Sequence, residues 1–344
     1  MRILFQLGHP AHFYMFRHTI NNLKHDGHEV FIVSRTKDLL DDLLAEAGLP
    51  YKNIMPSKKK GISNYALRLW RAYGYASRKH CDVIVGSTPE VAVIGWLLHR
   101  RSVIMVEDDY SIIPQFFNLA KPFADHVLSP ESCNNGPLEL KTTHYAGFQK
   151  LAYLHPHQFT PNATVVERYF SHTEPYFLLR FAHLTAYHDT SNHIHGITNE
   201  VAMRLIQKLS SHGRVYITSE RPLPSELEHY RLAINPLDIH HIMAFATLYI
   251  GDSQSMAVEA AMLGTPSIRF NDFAGRIGVL EELEHTYRLT TGIPTNEPER
   301  LYETVDKLLA KPGLRDEYQQ RRQRMLGDKI DVTAFFTQFI ENMN

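Results

Sequence analysis

The chain predicts an α/β protein built from two doubly wound, Rossmann-like domains that face each other across a cleft. Three observations carry that reading. Short apolar runs alternate with helix-spaced segments, the pattern of β–α units whose parallel strands are buried on both faces. With 344 residues the chain is too long for one typical domain and long enough for two cores. Between two such alternating blocks the pattern weakens, where Pro156, Pro161 and Pro175 stand among polar residues.

In chain order, residues 2–7 are a first strand and Gly8-His9-Pro10-Ala11-His12 the turn after it. Phe13, Phe16, Ile20 and Leu23 recur at helical spacing, and Gly27 ends that helix. Residues 28–33 are the second strand. Helix 38–47, strand 51–54, helix 63–79, strand 82–85, helix 89–98, strand 103–106, helix 112–120 and strand 125–128 complete a first domain, 1–145. Residues 146–175 read as a linker. The second domain, 176–330, opens with strand 176–181, helix 197–211 and strand 214–218. A short apolar run at 232–234 and helix 238–246 follow, and helices 277–285, 297–309 and 332–343 finish the chain.

The centre of the second domain is 247–270. Leu248-Tyr249-Ile250 is a buried-strand run, Gly251-Asp252-Ser253-Gln254-Ser255 a small polar turn, and 256–263 an alanine-rich helix closed by Gly264. Pro266 starts the next strand, where no ladder donor is needed. Such a turn suits an anion, because helix N-terminal amides point outwards and small residues let a phosphate approach. Glu259 lies four residues after Ser255 on the same helix face, placed to accept ribose hydroxyls.

Composition narrows the partners. Thirty-six basic against 37 acidic residues give no global field for nucleic acid. Two cysteines, Cys81 and Cys133, make no disulfide framework and fit a reducing compartment. No apolar run is long enough to span a bilayer, and the N-terminus reads as a strand, not a signal peptide. The chain therefore reads as cytoplasmic. Lys58–Lys60 and the stretch with Arg68, Trp70, Arg71, Tyr73, Tyr75, Arg78 and Lys79 leave open a peripheral contact at the inner face of the membrane, or simply a solvated helix face.

The candidate chemical residues follow predicted strands, so they sit at strand carboxyl ends, the usual ligand edge of doubly wound sheets. Arg180 and Arg269 are cations able to offset a leaving diphosphate. Glu107, Asp108 and Asp109 are adjacent carboxylates that repel one another unless something offsets them. Gly8, His9, His12, Glu131, His183 and His188 line the same edge. Helix capping and structural ion pairs would use the same residues, and the sequence leaves both open.

GDSQSMAVEAAMLGTPSI at 251–268 resembles the nucleotide-sugar signature of GT-B glycosyltransferases. It is equally similar to the corresponding stretch of the non-hydrolysing UDP-N-acetylglucosamine 2-epimerases. With GHPAHFYMFR, VEDDYSIIP, SPESCNNG, GFQKLAYLHPHQFTP and LLRFAHLTAYHD, in that order, the chain as a whole resembles the prokaryotic family called domain of unknown function 354, which is grouped with GT-B proteins. The resemblance implies a GT-B fold whose last helix, 331–344, crosses back to the first domain. It implies Asp252, Ser253, Gln254, Ser255 and Glu259 at a nucleotide, and His12 or an acid of 107–109 as base. It implies no cofactor and no metal, and the sequence shows no histidine–acid cluster at fixed ligand spacing. The expected activity is transfer of a sugar from a nucleotide donor, UDP-linked, to a glycan or lipid-linked acceptor in cell-surface polysaccharide synthesis. A 2-epimerase is the alternative, although Val106-Glu107 matches the epimerase HVEAG pattern only in part. A non-catalytic nucleotide-sugar or glycan binder is the third reading.

Overall fold

The computed structural model describes residues 1–37, 39–55, 62–182 and 196–343. The chain forms two compact units. One holds Met1–Gln158 together with the C-terminal segment from Lys329, and the other holds Phe159–Asp328.

The first unit is a seven-stranded parallel sheet: β1 (Arg2–Leu7), β2 (Glu29–Arg35), β3 (Lys52–Met55), β4 (Val83–Gly86), β5 (Arg101–Met105), β6 (His126–Pro130) and β7 (Thr142–Tyr145). Its order is β3-β2-β1-β4-β5-β6-β7, so the winding reverses between β1 and β4. At that switch point Gln6 lies opposite Gly86, and a Cβ on Gly86 would stand 2.9 Å from the Gln6 carbonyl and 2.8 Å from Val91 Cγ2. The helix Pro10–His25 buries Phe13, Phe16, Ile20 and Leu23, with Phe16 edge-on to Phe5 at 5.3 Å. On one face of the sheet Leu4, Ile84, Ile104 and Val127 pack with Val91, Ile94 and Phe117.

Residues 146–158, the start of the expected linker, belong to the first unit. Thr142–Tyr145 adds a seventh strand, whose Thr-Thr-His-Tyr sequence hides its alternation because only Tyr145 is fully buried. Phe148, Leu151, Ala152, Tyr153 and Leu154 are buried in the same unit. The last helix, Val332–Glu341, packs there too. Thr333 Oγ1 donates to the Ala152 carbonyl at 2.5 Å, and the rings of Phe335 and Phe336 meet Tyr145 at 5.4 and 5.5 Å.

The second unit is a five-stranded parallel sheet: β8 (Tyr176–Phe181), β9 (Arg214–Ser219), β10 (Leu248–Gly251), β11 (Ser267–Phe270) and β12 (Thr291–Ile293). The order β12-β11-β10-β8-β9 reverses between β8 and β10. Phe177, Leu179, Ile250 and Ile268 face one core with Leu205, Leu301 and Val305. The expected run at 232–234 forms no strand; one bridge pairs Ile217 with Arg231.

A helix over Leu314–Asp328 was not expected from the sequence, because its buried positions are Leu314, Tyr318, Arg322 and Met325, a stripe masked by a tyrosine and an arginine. It completes the helix Gln254–Leu263. Arg322 Nε donates to the Met262 carbonyl at 2.6 Å, and Gln319 Nε2 donates to the carbonyls of Leu263 and Gly264 at 2.9 and 3.2 Å. These side chains satisfy carbonyls that the helix end leaves without intrahelical partners. Among the described residues no helix is long and apolar enough to cross a membrane.

Gly264 closes this junction at φ 69°, and a Cβ there would lie 2.6 Å from Gln319 Nε2. Gly264→Ala should therefore cost about 1–3 kcal/mol, combining left-handed strain with displacement of Gln319. Urea unfolding followed by circular dichroism checks it, and an unchanged midpoint would contradict the capping account.

Candidate functional site

In the first unit the carboxyl ends of β1 and β2 build a compact basic corner. His9 caps the helix Pro10–His25, its Nδ1 accepting the Ala11 amide at 3.2 Å. His12 Nδ1 accepts the Gly8 amide at 3.2 Å. Arg35, at the end of β2, donates from Nε to the Gly8 carbonyl at 3.0 Å, and a Cβ on Gly8 would come within 3.1 Å of that nitrogen. A side chain at Gly8 would thus press on the arginine where it crosses the turn. Burial, then the nearby charges of His9, Arg35 and Lys150, lower the His12 pKa to about 3. His12 is consequently neutral near pH 7. With Nδ1 accepting, its proton sits on Nε2, so the ring is a hydrogen-bond donor.

The acidic run resolves into three different environments. Glu107 accepts the Gln149 amide and the Lys150 ammonium, each at 2.6 Å. Asp109 is buried, and its Oδ1 accepts the Asn134 amide at 2.8 Å, tying the turn after β5 to the loop after β6. Asp108, between them, is half-buried. Glu131 is exposed. Beside the switch point, Glu90 is 1% exposed and paired with Arg68. Two further buried polar atoms at this edge, Gln6 Oε1 and Thr88 Oγ1, have no hydrogen-bond partner among the described residues.

In the second unit one row crosses the sheet near its carboxyl edge. Thr218, Arg180, Gly251, Arg269 and Gly292 are successive register partners on β9, β8, β10, β11 and β12. The glycines alternate with the arginines for a steric reason. A Cβ on Gly251 would meet Tyr249 Oη at 2.4 Å and Arg180 Cβ at 2.8 Å, and one on Gly292 would meet Arg269 Nη2 at 2.7 Å. Ser253 caps the helix Gln254–Leu263, accepting the Met256 amide at 3.4 Å. Among the described residues, buried atoms here lack hydrogen-bond partners: Arg180 Nε, Tyr249 Oη, both amide atoms of Gln254, and Arg269 Nε and Nη1. Unsatisfied polar atoms at that density are unusual in a protein interior.

Several expected roles change. Arg269 is fully buried, its Nη2 donating to Glu284 Oε2 at 2.7 Å, so it is an internal ion pair and not an open phosphate ligand. Asp252 is 2% exposed, and its carboxylate accepts the amides of Ala182 and Ile197 at 2.6 and 3.2 Å. It fastens two chain segments and does not face outwards. Glu259 is mostly buried, with Oε1 3.5 Å from His240 Nε2. Arg180 pairs with Glu220, while Ser253 is half-buried and Ser255 exposed. His183 and His188 lie outside the described residues, as do Lys58–Lys60. In the basic, aromatic stretch Trp70 is 69% exposed, and Arg71, Arg78 and Lys79 are exposed too. Arg68 is paired with Glu90, Arg71 donates to the Ile54 carbonyl at 2.9 Å, and Lys79 lies over the Phe31 ring at 5.1 Å. The sequence reading missed Arg35, Lys150, Tyr249 and Glu284; a cation ending a strand or starting a helix was a signal for the first two, and nothing in the sequence marked the others.

The structure is similar to solved GT-B proteins over nearly its whole length. It covers 100% of this chain and 99% of the UDP-GlcNAc 2-epimerase from Neisseria meningitidis bound to UDP-GlcNAc, at 12% identity and a TM-score of 0.69. It covers 91% of this chain and 94% of the UDP-GlcNAc 2-epimerase from Methanocaldococcus jannaschii, at 16% identity and 0.62. It covers 98% of this chain and 100% of the spinosyn rhamnosyltransferase SpnG, complexed with spinosyn aglycone, at 14% identity and 0.64. The fold is therefore GT-B. No protein-family model and no curated protein matches the sequence, so the likeness to domain of unknown function 354 rests on its motifs.

Two outcomes follow. Nitrogen-15 NMR at neutral pH should find His12 carrying its proton on Nε2 and staying neutral down to about pH 4; titration near the ordinary histidine value would contradict the geometry. Burial also raises the Asp252 pKa to about 6, against the amides of Ala182 and Ile197. A folded pKa above the unfolded one means this stabilisation is complete below about pH 4 and is lost as pH rises through about 6, on the order of 2–3 kcal/mol. Asp252→Asn should flatten that window in urea unfolding measured across it.

Proposed function

We propose that the chain binds a nucleotide sugar, UDP-linked, through its second unit and transfers the sugar to a glycan or lipid-linked acceptor. The observation that carries this reading is the set of buried polar atoms around Gly251, namely Arg180 Nε, Tyr249 Oη and the Gln254 side-chain amide, which lack hydrogen-bond partners among the described residues where the helix Gln254–Leu263 begins. Backbone amides at the helix start and a nearby arginine suit a diphosphate, whose charge grows as it leaves. Ser253, Gln254 and Ser255 would meet the phosphates and Glu259 the ribose.

In the transfer step the acceptor oxygen attacks the anomeric carbon and the bond from that carbon to the diphosphate oxygen breaks. The electron pair leaves with UDP, and the acceptor proton passes to a base. Of the acids at the carboxyl end of β5, we assign this proton to the half-buried Asp108. His12 serves better as a neutral donor, through Nε2, to a sugar or phosphate oxygen than as the base expected from sequence. Catalysis then rests on positioning and on charge stabilisation of the leaving group.

The epimerase reading keeps one specific support, the full-length likeness to UDP-GlcNAc 2-epimerases. A neutral donor at His12 also fits a reaction without acceptor, in which UDP is eliminated and re-added.

Calorimetry with UDP, and with GDP, CDP and TDP as controls, tests the shared premise. Gln254→Ala and Glu259→Gln should each weaken UDP binding about 10-fold or more, the worth of one hydrogen bond to a charged or ribose group. Absence of nucleotide binding sinks the proposal. If UDP binds, incubation with UDP-GlcNAc alone separates the two reactions: a 2-epimer formed without acceptor favours the isomerase, and UDP release only when acceptor is added favours the transferase.

A further inference from the structure

His155, Pro156 and His157 close the first long segment of the first unit, and Asp331 opens its last helix. The chain leaves for the second unit after Gln158 and returns at Lys329, so these residues flank both passages. His157 Nδ1 lies 3.0 Å and His155 Nδ1 3.8 Å from Asp331 Oδ2. One donor atom from each residue falls within 4.8 Å of the others. Tetrahedral zinc with nitrogen and oxygen bonds of about 2.0–2.2 Å sets its ligands roughly 3.4 Å apart, and the two measured separations bracket that spacing.

The arrangement is preorganised. Pro156 restricts the residue before it, and His155 is extended at φ −61°, ψ 143°. Asp331 Oδ1 is held by the Ala334 amide at 3.1 Å as the helix cap, which leaves Oδ2 directed at the histidines. Two further polar contacts are long: Gln158 Nε2 to Asp331 Oδ2 at 3.4 Å, and the His157 amide to His155 Nδ1 at 3.3 Å. The side chains of His155 and Asp331 are 10% and 15% exposed while that of His157 is 72% exposed, so the cluster is closed on one side and open to solvent on the other.

We propose that His155, His157 and Asp331 bind one divalent transition metal of the zinc class, with water completing the shell. Two imidazoles and one carboxylate are the donor set that suits such an ion. The bound ion clips the end of the 151–158 segment to the start of the last helix. The proposal is independent of the nucleotide-sugar reading.

The test uses the full chain, stripped with chelator, at pH 7.5. Zinc binding is followed by calorimetry, cobalt binding by visible absorption, and stability by thermal unfolding. Because the chain holds 21 histidines, stray sites are expected, and the informative signal is one saturable equivalent. His157→Ala alters an exposed side chain, and Asp331→Asn keeps a good helix cap, so both variants should fold. Each should weaken zinc binding by more than the roughly 100-fold that loss of an outer partner can cost, and should abolish the zinc-induced rise in unfolding temperature seen in the parent chain. No saturable equivalent in the parent, or equal binding by parent and His157→Ala, overturns the proposal.

Discussion

The second unit is organised by what cannot fit beside Gly251. A side chain there would collide with Tyr249 Oη and Arg180 Cβ, so the strand ends with bare backbone between the half-buried Arg180 and the buried Arg269. That vacancy lets the chain turn at once into the helix Gln254–Leu263 and brings the helix start down onto the sheet edge. The far end of the same helix depends on donors from Leu314–Asp328, through Arg322 and Gln319. A short helix is therefore capped at its start by Ser253 and fixed at its far end by side chains from Leu314–Asp328. An anion site built on backbone amides needs that rigidity, because the amides act only where they already point.

Charges at strand ends proved to be of two kinds. Some are absorbed into the architecture: Arg269 with Glu284, Glu107 with Lys150, and Asp252 with two amides. Buried charge demands such pairing, since an isolated ion in the interior is costly. Others retain unmet capacity, as with Arg180 Nε and the Gln254 amide. The sequence shows both kinds in the same positions relative to strands. Only the neighbours brought by the fold, often far away in the chain, tell them apart.

The alternation of apolar runs and helical spacing was legible for most of both sheets, and strand β8 and the helix Pro89–Leu98 stand where that pattern put them. Less legible were elements whose burial is one-sided or carried by polar residues. Strand β7 reads Thr-Thr-His-Tyr, β12 is three residues long, and Leu314–Asp328 buries an arginine. Their apolar content is too low to announce an element, yet each is held by a partner already in place. Of the candidate residues, the location of Gly8, His12 and the 251–255 turn at strand carboxyl ends could be read directly. The proton position on His12 could not, because it depends on the Gly8 amide folding back to Nδ1.

The last helix has a consequence for how the chain can be divided. It belongs to the first unit, where Val332, Phe336 and Ile340 are fully buried. Topologically, the second unit is an insertion within the first, entered after Gln158 and left before Lys329. Residues 159–328 are therefore one continuous piece that can be excised intact, whereas the first unit has no continuous equivalent. Cutting the chain anywhere in the second unit separates the last helix from the sheet it covers, and a first unit made alone needs its two segments rejoined by a new, short connection. The second unit, held at both of its ends, also pays less entropy to stay near its neighbour than a domain on a single linker would.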